Sequence, residues 1–204
     1  MDYTFKQTVK LVAALLIALA ITQSVYTALY VAKAPVPRQL LWGLEGLLFV
    51  FLAAFAGAAL AESRTLKVGW SAIAFSAVLN VVQVGVGLTM FGPFREASQD
   101  LETLAPTAGA VVAFSFFVYN AAKILLGFAA LIFGLQKKAV GTGGASMLGT
   151  VTALIGVIAI ISNATVMALG RGSFIPSPVA GGSGVVATLL LALCLSSTSP
   201  TSGE

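Results

Sequence analysis

Lys123 sits at the centre of an apolar run, "NAAKILLG" (Asn120 to Gly127), where no aqueous surface is within reach of its side chain. A second run, "NVVQVGVG" (Asn80 to Gly87), carries the same layout of asparagine, a second polar residue three positions on and glycine seven on. Glu45 is the only acid inside any of the chain's apolar runs, and Gln23 and Asn163 complete the set of buried polar candidates. Residues three, four and seven apart share a helix face. Asn80, Gln83 and Gly87 therefore form one stripe, with Ser76 beside it, and Asn120, Lys123 and Gly127 another. Such stripes can hydrogen-bond across a helix interface or hold a polar solute or ion. Covalent chemistry is poorly supported, because no serine–lysine pair at helical spacing lies within a span and the chain has no histidine.

Those residues need long apolar helices to position them. Of 204 residues, 58% are hydrophobic and only 9% charged, with mean hydropathy +1.00. A soluble domain carries roughly 25% charged residues, so lipid must be the main solvent here. Six spans can be drawn, at about 11–32, 40–61, 68–91, 108–135, 148–170 and 180–197, each near the roughly 20 residues that cross a hydrocarbon core of about 30 Å. The expected fold is an all-α bundle of six transmembrane helices in a single membrane domain over 1–204, ending in a polar tail at 198–204. The first run exceeds a signal peptide's apolar region, of about 7–15 residues, and is read as a retained helix despite Ala32-Lys33-Ala34.

The connections read as a Pro35–Pro37 turn, a charged turn from Glu62 to Lys67, a long acidic loop from Gly92 to Thr107, a flexible link over Lys137 to Ser146 and an irregular stretch from Gly170 to Pro178. Trp42 and Trp70 fall near span ends, as interfacial aromatics do. Gly181, Gly182 and Gly184 weaken the start of the sixth span. Lys6, Lys10, Arg64, Lys67, Lys137 and Lys138 gather on the side of the termini, against Lys33, Arg38, Arg95 and Arg171 opposite. Positive residues favour the cytoplasmic side, so both termini are expected there, in a membrane of the bacterial cytoplasmic type.

Lys123 is about 18 Å from the nearer end of its span at 1.5 Å per residue, too deep to snorkel out. An unpaired charge at that depth costs at least about 2.5–3.5 kcal/mol. The expected companion is Glu45, as an ion pair made directly or through water, although about 10 Å of depth separates the two positions by the same helical rise. Gln23, Glu45, Asn80, Gln83, Asn120, Lys123 and Asn163 all fall between mid-membrane and one half, as the groups of a ligand site would. All three asparagines also obey Asn-x6-Gly, with Gly87, Gly127 and Gly170.

With one cysteine, Cys194, and no histidine, no metal or cofactor is expected, and no basic aromatic patch suggests nucleic acid. "NAT" at Asn163 matches a glycosylation pattern inside a span, where it would not be modified, and "GTGG" at Gly141 lacks the setting of a phosphate loop. Ser115, Ser162 and Thr165 are expected to bond their own helix backbones. Ala14-x3-Ala18 and Gly57-x3-Ala61 are small-residue packing motifs. In size and span number the chain resembles the substrate-binding subunits of energy-coupling-factor vitamin transporters, and Ala14-x3-Ala18 is similar to their small-residue docking face. The polar cluster itself, with Lys123 to hold an anionic group or a coupling proton, Glu45 to balance it and the amides to orient a substrate, leads to the expectation of a non-catalytic protein that binds or transports a small polar or anionic solute or ion. The alternative is an accessory or assembly subunit packed against other membrane subunits or a second copy of itself.

Overall fold

The computed structural model describes residues 3–34, 36–170 and 173–197, and among them the chain is helical with no strands. Six long helices form the bundle: α1 (Phe5–Val31), α2 (Gln39–Glu62), α3 (Lys67–Asp100), α4 (Ala105–Val140), α5 (Gly144–Leu169) and α6 (Ser177–Ser196). Each is long and apolar enough to cross a membrane. Pro35, Arg171 and the tail 198–204 lie outside the described residues.

Neighbours in sequence pack side by side, α6 closes back onto α1, and α4 also touches α6. The core is aliphatic and aromatic, with Val12, Leu16, Leu19, Phe49, Leu52, Ile73, Leu126 and Leu191 buried. Outward faces carry Ile21, Phe75, Phe114 and Leu154 in the open, which water would penalise and acyl chains accept. The protein is an integral membrane protein.

Local chemistry sets the ends. Thr4 accepts from the Gln7 backbone while the Gln7 side chain accepts from the Thr4 backbone, a reciprocal cap that satisfies two of the donors a helix start leaves free. Gly143 and Gly170 adopt positive φ, 53° and 55°, at the two ends of α5, a conformation that costs glycine nothing.

The expected loop from Gly92 to Thr107 is instead mostly helix. α3 runs on past Pro93 to Asp100, Leu101 makes the break, a single 3₁₀ turn covers Glu102–Leu104, and α4 starts with proline in its first turn. With 34 and 36 residues, α3 and α4 are about 51 and 54 Å long at 1.5 Å per residue. Both exceed the hydrocarbon core, so their joined ends project from the membrane as a helical hairpin.

The tightest packing joins α4 to α5. A Cβ at Gly127 would fall 2.8 Å from the Gly156 carbonyl oxygen, one at Gly134 2.7 Å from that of Gly149, and one at Gly156 2.6 Å from that of Gly127. Glycines seven apart on one helix thus meet glycines seven apart on its antiparallel neighbour. The same register, carried one further step, sets Asn120 level with Asn163. The Asn-x6-Gly pattern is therefore not one motif. At Asn120 it marks this seam, Gly87 seats the Trp42 ring of α2, 3.1 Å from where a Cβ would lie, and Gly170 serves the end of α5.

Two further expectations change. Lys137 belongs to no flexible link: it is buried in the last turn of α4, and its ammonium donates to the Cys194 carbonyl at 3.3 Å. A cation suits the exposed carbonyls and negative pole of the α6 C-terminus. Trp70, near the start of α3, is buried rather than interfacial, edge-on to Phe133 with centroids 5.0 Å apart.

Candidate functional site

Lys123 is wholly buried where α1, α4 and α6 meet. α4 can deliver it there because α6 yields space. A Cβ at Gly184 would lie 2.7 Å from Lys123 Cδ, and one at Gly181 3.2 Å from the Tyr119 hydroxyl. Tyr119 and Lys123 stand one turn apart on α4 and dock against two glycines one turn apart on α6. The glycines that weakened the sixth span on paper are thus what admits the cation.

The ammonium donates to Gln23 Oε1 of α1 at 2.6 Å and stands 5.2 Å from the centre of the Tyr119 ring. Both are favourable to a cation: an amide oxygen by charge-assisted hydrogen bonding, the ring face through its quadrupole. Of the ion pair expected with Glu45, direct or through water, the direct form is not made. Glu45, on α2, is buried close enough for its charge and that of Lys123 to interact, and it lies beside the Thr22 hydroxyl of α1. Its Oε1 has no protein partner. α4 packs along α3, α5 and α6 and along neither α1 nor α2; it is Gln23 of α1, the helix that packs on α6, that meets the ammonium.

The amides divide. Asn80 donates to the Ser76 carbonyl at 2.9 Å, and the Ser76 hydroxyl crosses to the Ala122 carbonyl at 2.8 Å, beside Lys123. Gln83, half-buried, donates to the Ser115 hydroxyl of α4 at 3.3 Å, so Ser115 serves a neighbour rather than its own helix. Asn120 donates within α4, to the Phe116 carbonyl at 2.8 Å. Asn163 donates to the Ala159 carbonyl at 2.8 Å and across to the Ala180 carbonyl of α6 at 3.1 Å. Ser162 and Thr165 do bond their own backbone, to the Ile158 and Ile161 carbonyls. The two stripes are therefore not single surfaces: Lys123 turns to α1 and α6 while Gly127 turns to α5.

Lys123, Gln23, Glu45 and Tyr119 form the cluster, and Gln83, Asn163 and Ser76 tie helices together. Asn80 Oδ1 and Asn163 Oδ1 are, like Glu45 Oε1, buried acceptors without a protein donor. Buried polar atoms of this kind are few in native proteins and call for water or a ligand. At one end of the bundle, Tyr26 contacts Trp42 with centroids 5.8 Å apart, Trp42 contacts Phe91 at 5.7 Å, and the Arg38 guanidinium lies 5.7 and 5.6 Å from the Tyr26 and Tyr30 ring centres. Arg38, a turn cation by its position in the sequence, is thus drawn into an aromatic cluster, and the sequence signal for it is a tyrosine pair one turn apart on α1 with an arginine and a tryptophan at the start of α2.

The chain matches no family model, no curated protein and no solved structure.

Proposed function

We propose that this chain binds a small polar or anionic solute or an ion inside the membrane and carries it across, with no covalent chemistry. The observation that carries this reading is Lys123: a fully buried cation whose hydrogen-bond partner is a neutral amide, with a carboxyl group nearby but not in contact. A purely structural lysine would be expected to meet its counter-ion directly. A cation and a carboxyl that do not pair directly, the carboxyl with Oε1 unpartnered, could each meet a group of opposite character on a solute. Intramembrane ionisable residues commonly mark such paths. Trp42, seated on Gly87 and against Tyr26, would be the element that moves to admit it.

The test is a panel of small carboxylates, amino acids and inorganic ions applied to the purified chain and read as thermal stabilisation. At least one should raise the melting temperature of the wild type and leave Lys123→Gln unmoved. If no solute stabilises the wild type, the reading fails.

An accessory role has its own support. Ala14 and Ala61 are exposed, Ala18 and Gly57 half-buried, and a Cβ at Gly57 would touch nothing, so these small residues face away from the bundle. Copurification from native membranes in fixed ratio with other subunits would favour that reading.

We also place both termini in the cytoplasm of a bacterial cell. Once the buried Lys137 is removed, the described cations near the helix ends and turns are Lys6, Lys10, Arg64, Lys67 and Lys138 against Lys33, Arg38 and Arg95. In a chain with Cys194 replaced, Arg64→Cys should resist a membrane-impermeant maleimide on intact cells. Labelling there would reverse the topology.

A further inference from the structure

Beyond the buried cluster, the structure assigns an anion-binding site to the cleft where the projecting α3–α4 hairpin meets the start of α2. We infer that it takes a phosphate-bearing amphiphile or phosphate ester, with the charged group at Arg38 and Arg95 and the apolar portion against Trp42 and Phe91. The cleft holds about 580 Å³ and also includes Ser98 and Val112 on its walls. A smaller recess of about 320 Å³ shares Gln39, Gly92 and Arg95 with it. The larger volume falls within the range of small-molecule sites, about 300–1,000 Å³.

The charge is one-sided. No acid lines the larger cleft, and Glu96 reaches only the smaller recess. Among the described residues neither arginine makes an ion pair. The Arg38 guanidinium lies over the Tyr26 and Tyr30 rings and bonds the Tyr26 side chain, which holds it in place; with five N–H donors a guanidinium so held has others for an oxyanion. Arg38 is also the residue that opens α2, whose start no side chain caps; that end of the helix carries a partial positive charge. Arg95 approaches from the opposite wall, one helical turn beyond Phe91. Two cations in one cleft with two aromatic rings, where α3 outruns its apolar span, match a charged head on an apolar body.

The site is tested on the purified full-length chain in uncharged detergent, with indole fluorescence as readout because Trp42 lines the cleft. The probes are water-soluble dihexanoyl phosphatidylglycerol, its phosphatidylcholine counterpart and glycerol phosphate. The wild type should bind phosphatidylglycerol more tightly than phosphatidylcholine, and Arg95→Gln should weaken it about tenfold, as loss of one charge-assisted contact would. Arg95 is exposed, so that variant should fold even if Arg38→Gln does not. Lys33→Gln, at the same end but off the cleft, should bind normally. Saturation by the lipid alone identifies a headgroup as the source; saturation by glycerol phosphate as well identifies a free phosphate ester. Failure of both anionic probes, unchanged affinity in Arg95→Gln, or an equal loss in Lys33→Gln overturns the assignment.

Discussion

Gly156→Ala should destabilise the protein by about 1–3 kcal/mol, the usual cost of forcing a methyl group into a filled space, whereas Gly57→Ala should be neutral or slightly stabilising. The two substitutions are chemically identical and both lie within long helices. Intrinsic propensity favours alanine over glycine in each, by about 0.8–1.0 kcal/mol on aqueous scales. Surroundings decide the sign. At Gly156 the new Cβ would lie 2.6 Å from the Gly127 carbonyl oxygen and 2.8 Å from the Leu131 nitrogen, while at Gly57 nothing lies within 4 Å. The obstructing atoms at Gly156 are backbone, so no rotamer change relieves the clash and α4 must move away from α5. In lipid, helix association depends on close packing rather than on expelling water, so that separation forfeits much of what holds the pair together. Gly134→Ala should behave alike, since its Cβ would meet the Ala153 nitrogen at 2.6 Å. Unfolding of the reconstituted chain, followed by circular dichroism against added denaturing detergent, measures the difference. Equal stability of Gly156→Ala and the wild type would mean that the seam is not close-packed.

How much of this was legible beforehand follows from what hydropathy measures. It detects contact with lipid, so it located all six helices, with boundaries within a few residues for α2, α5 and α6. It is blind to helix that leaves the membrane, which is why the hairpin from Gly92 onward read as a loop. Pro93 reinforced that reading, yet proline forfeits only its own N–H bond and displaces one carbonyl, a tolerable loss near water. The depth of Lys123 was equally plain from sequence, because depth is a matter of counting residues to a span's end. Its partner was not, because partnership depends on which helices are neighbours. Gln23 becomes the acceptor only once α1 lies beside α6, and the value of Gly181 and Gly184 emerges only when α4 is laid against them. Lys137 misled for a related reason: a lysine at a span end normally reaches outward, and only the nearby end of α6 turns it in. The seam went unread, because the seven-residue spacings Gly127 to Gly134 and Gly149 to Gly156 carry no sign of the antiparallel register that joins Gly127 to Gly156.

A double-mutant cycle on Lys123 and Glu45 should show strong coupling without direct contact. Lys123→Met leaves the Glu45 carboxyl group without its compensating charge, and Glu45→Gln leaves the ammonium with Gln23 and Tyr119 alone. Removing one member of a buried charge pair typically costs about 3–5 kcal/mol, and the greater separation here should bring each single loss toward the lower end or below. The double variant carries neither charge, and replacing both members with neutral residues is often harmless. It should therefore be more stable than the sum of the single losses implies, by at least about 1 kcal/mol, which exceeds the roughly 0.3–0.5 kcal/mol scatter of independent sites. Methionine suits this position because it is unbranched, like the lysine stem that lies along Gly184. The Gln23 acceptor is then left unpaired in both variants that carry Lys123→Met, and that loss cancels from the cycle. Stability and function should separate in the double variant, since the solute site proposed above needs both charges and would be lost despite a sound fold. Strict additivity in the unfolding measurement would show that the two groups do not sense one another, and a double variant that still bound solute would move the site elsewhere.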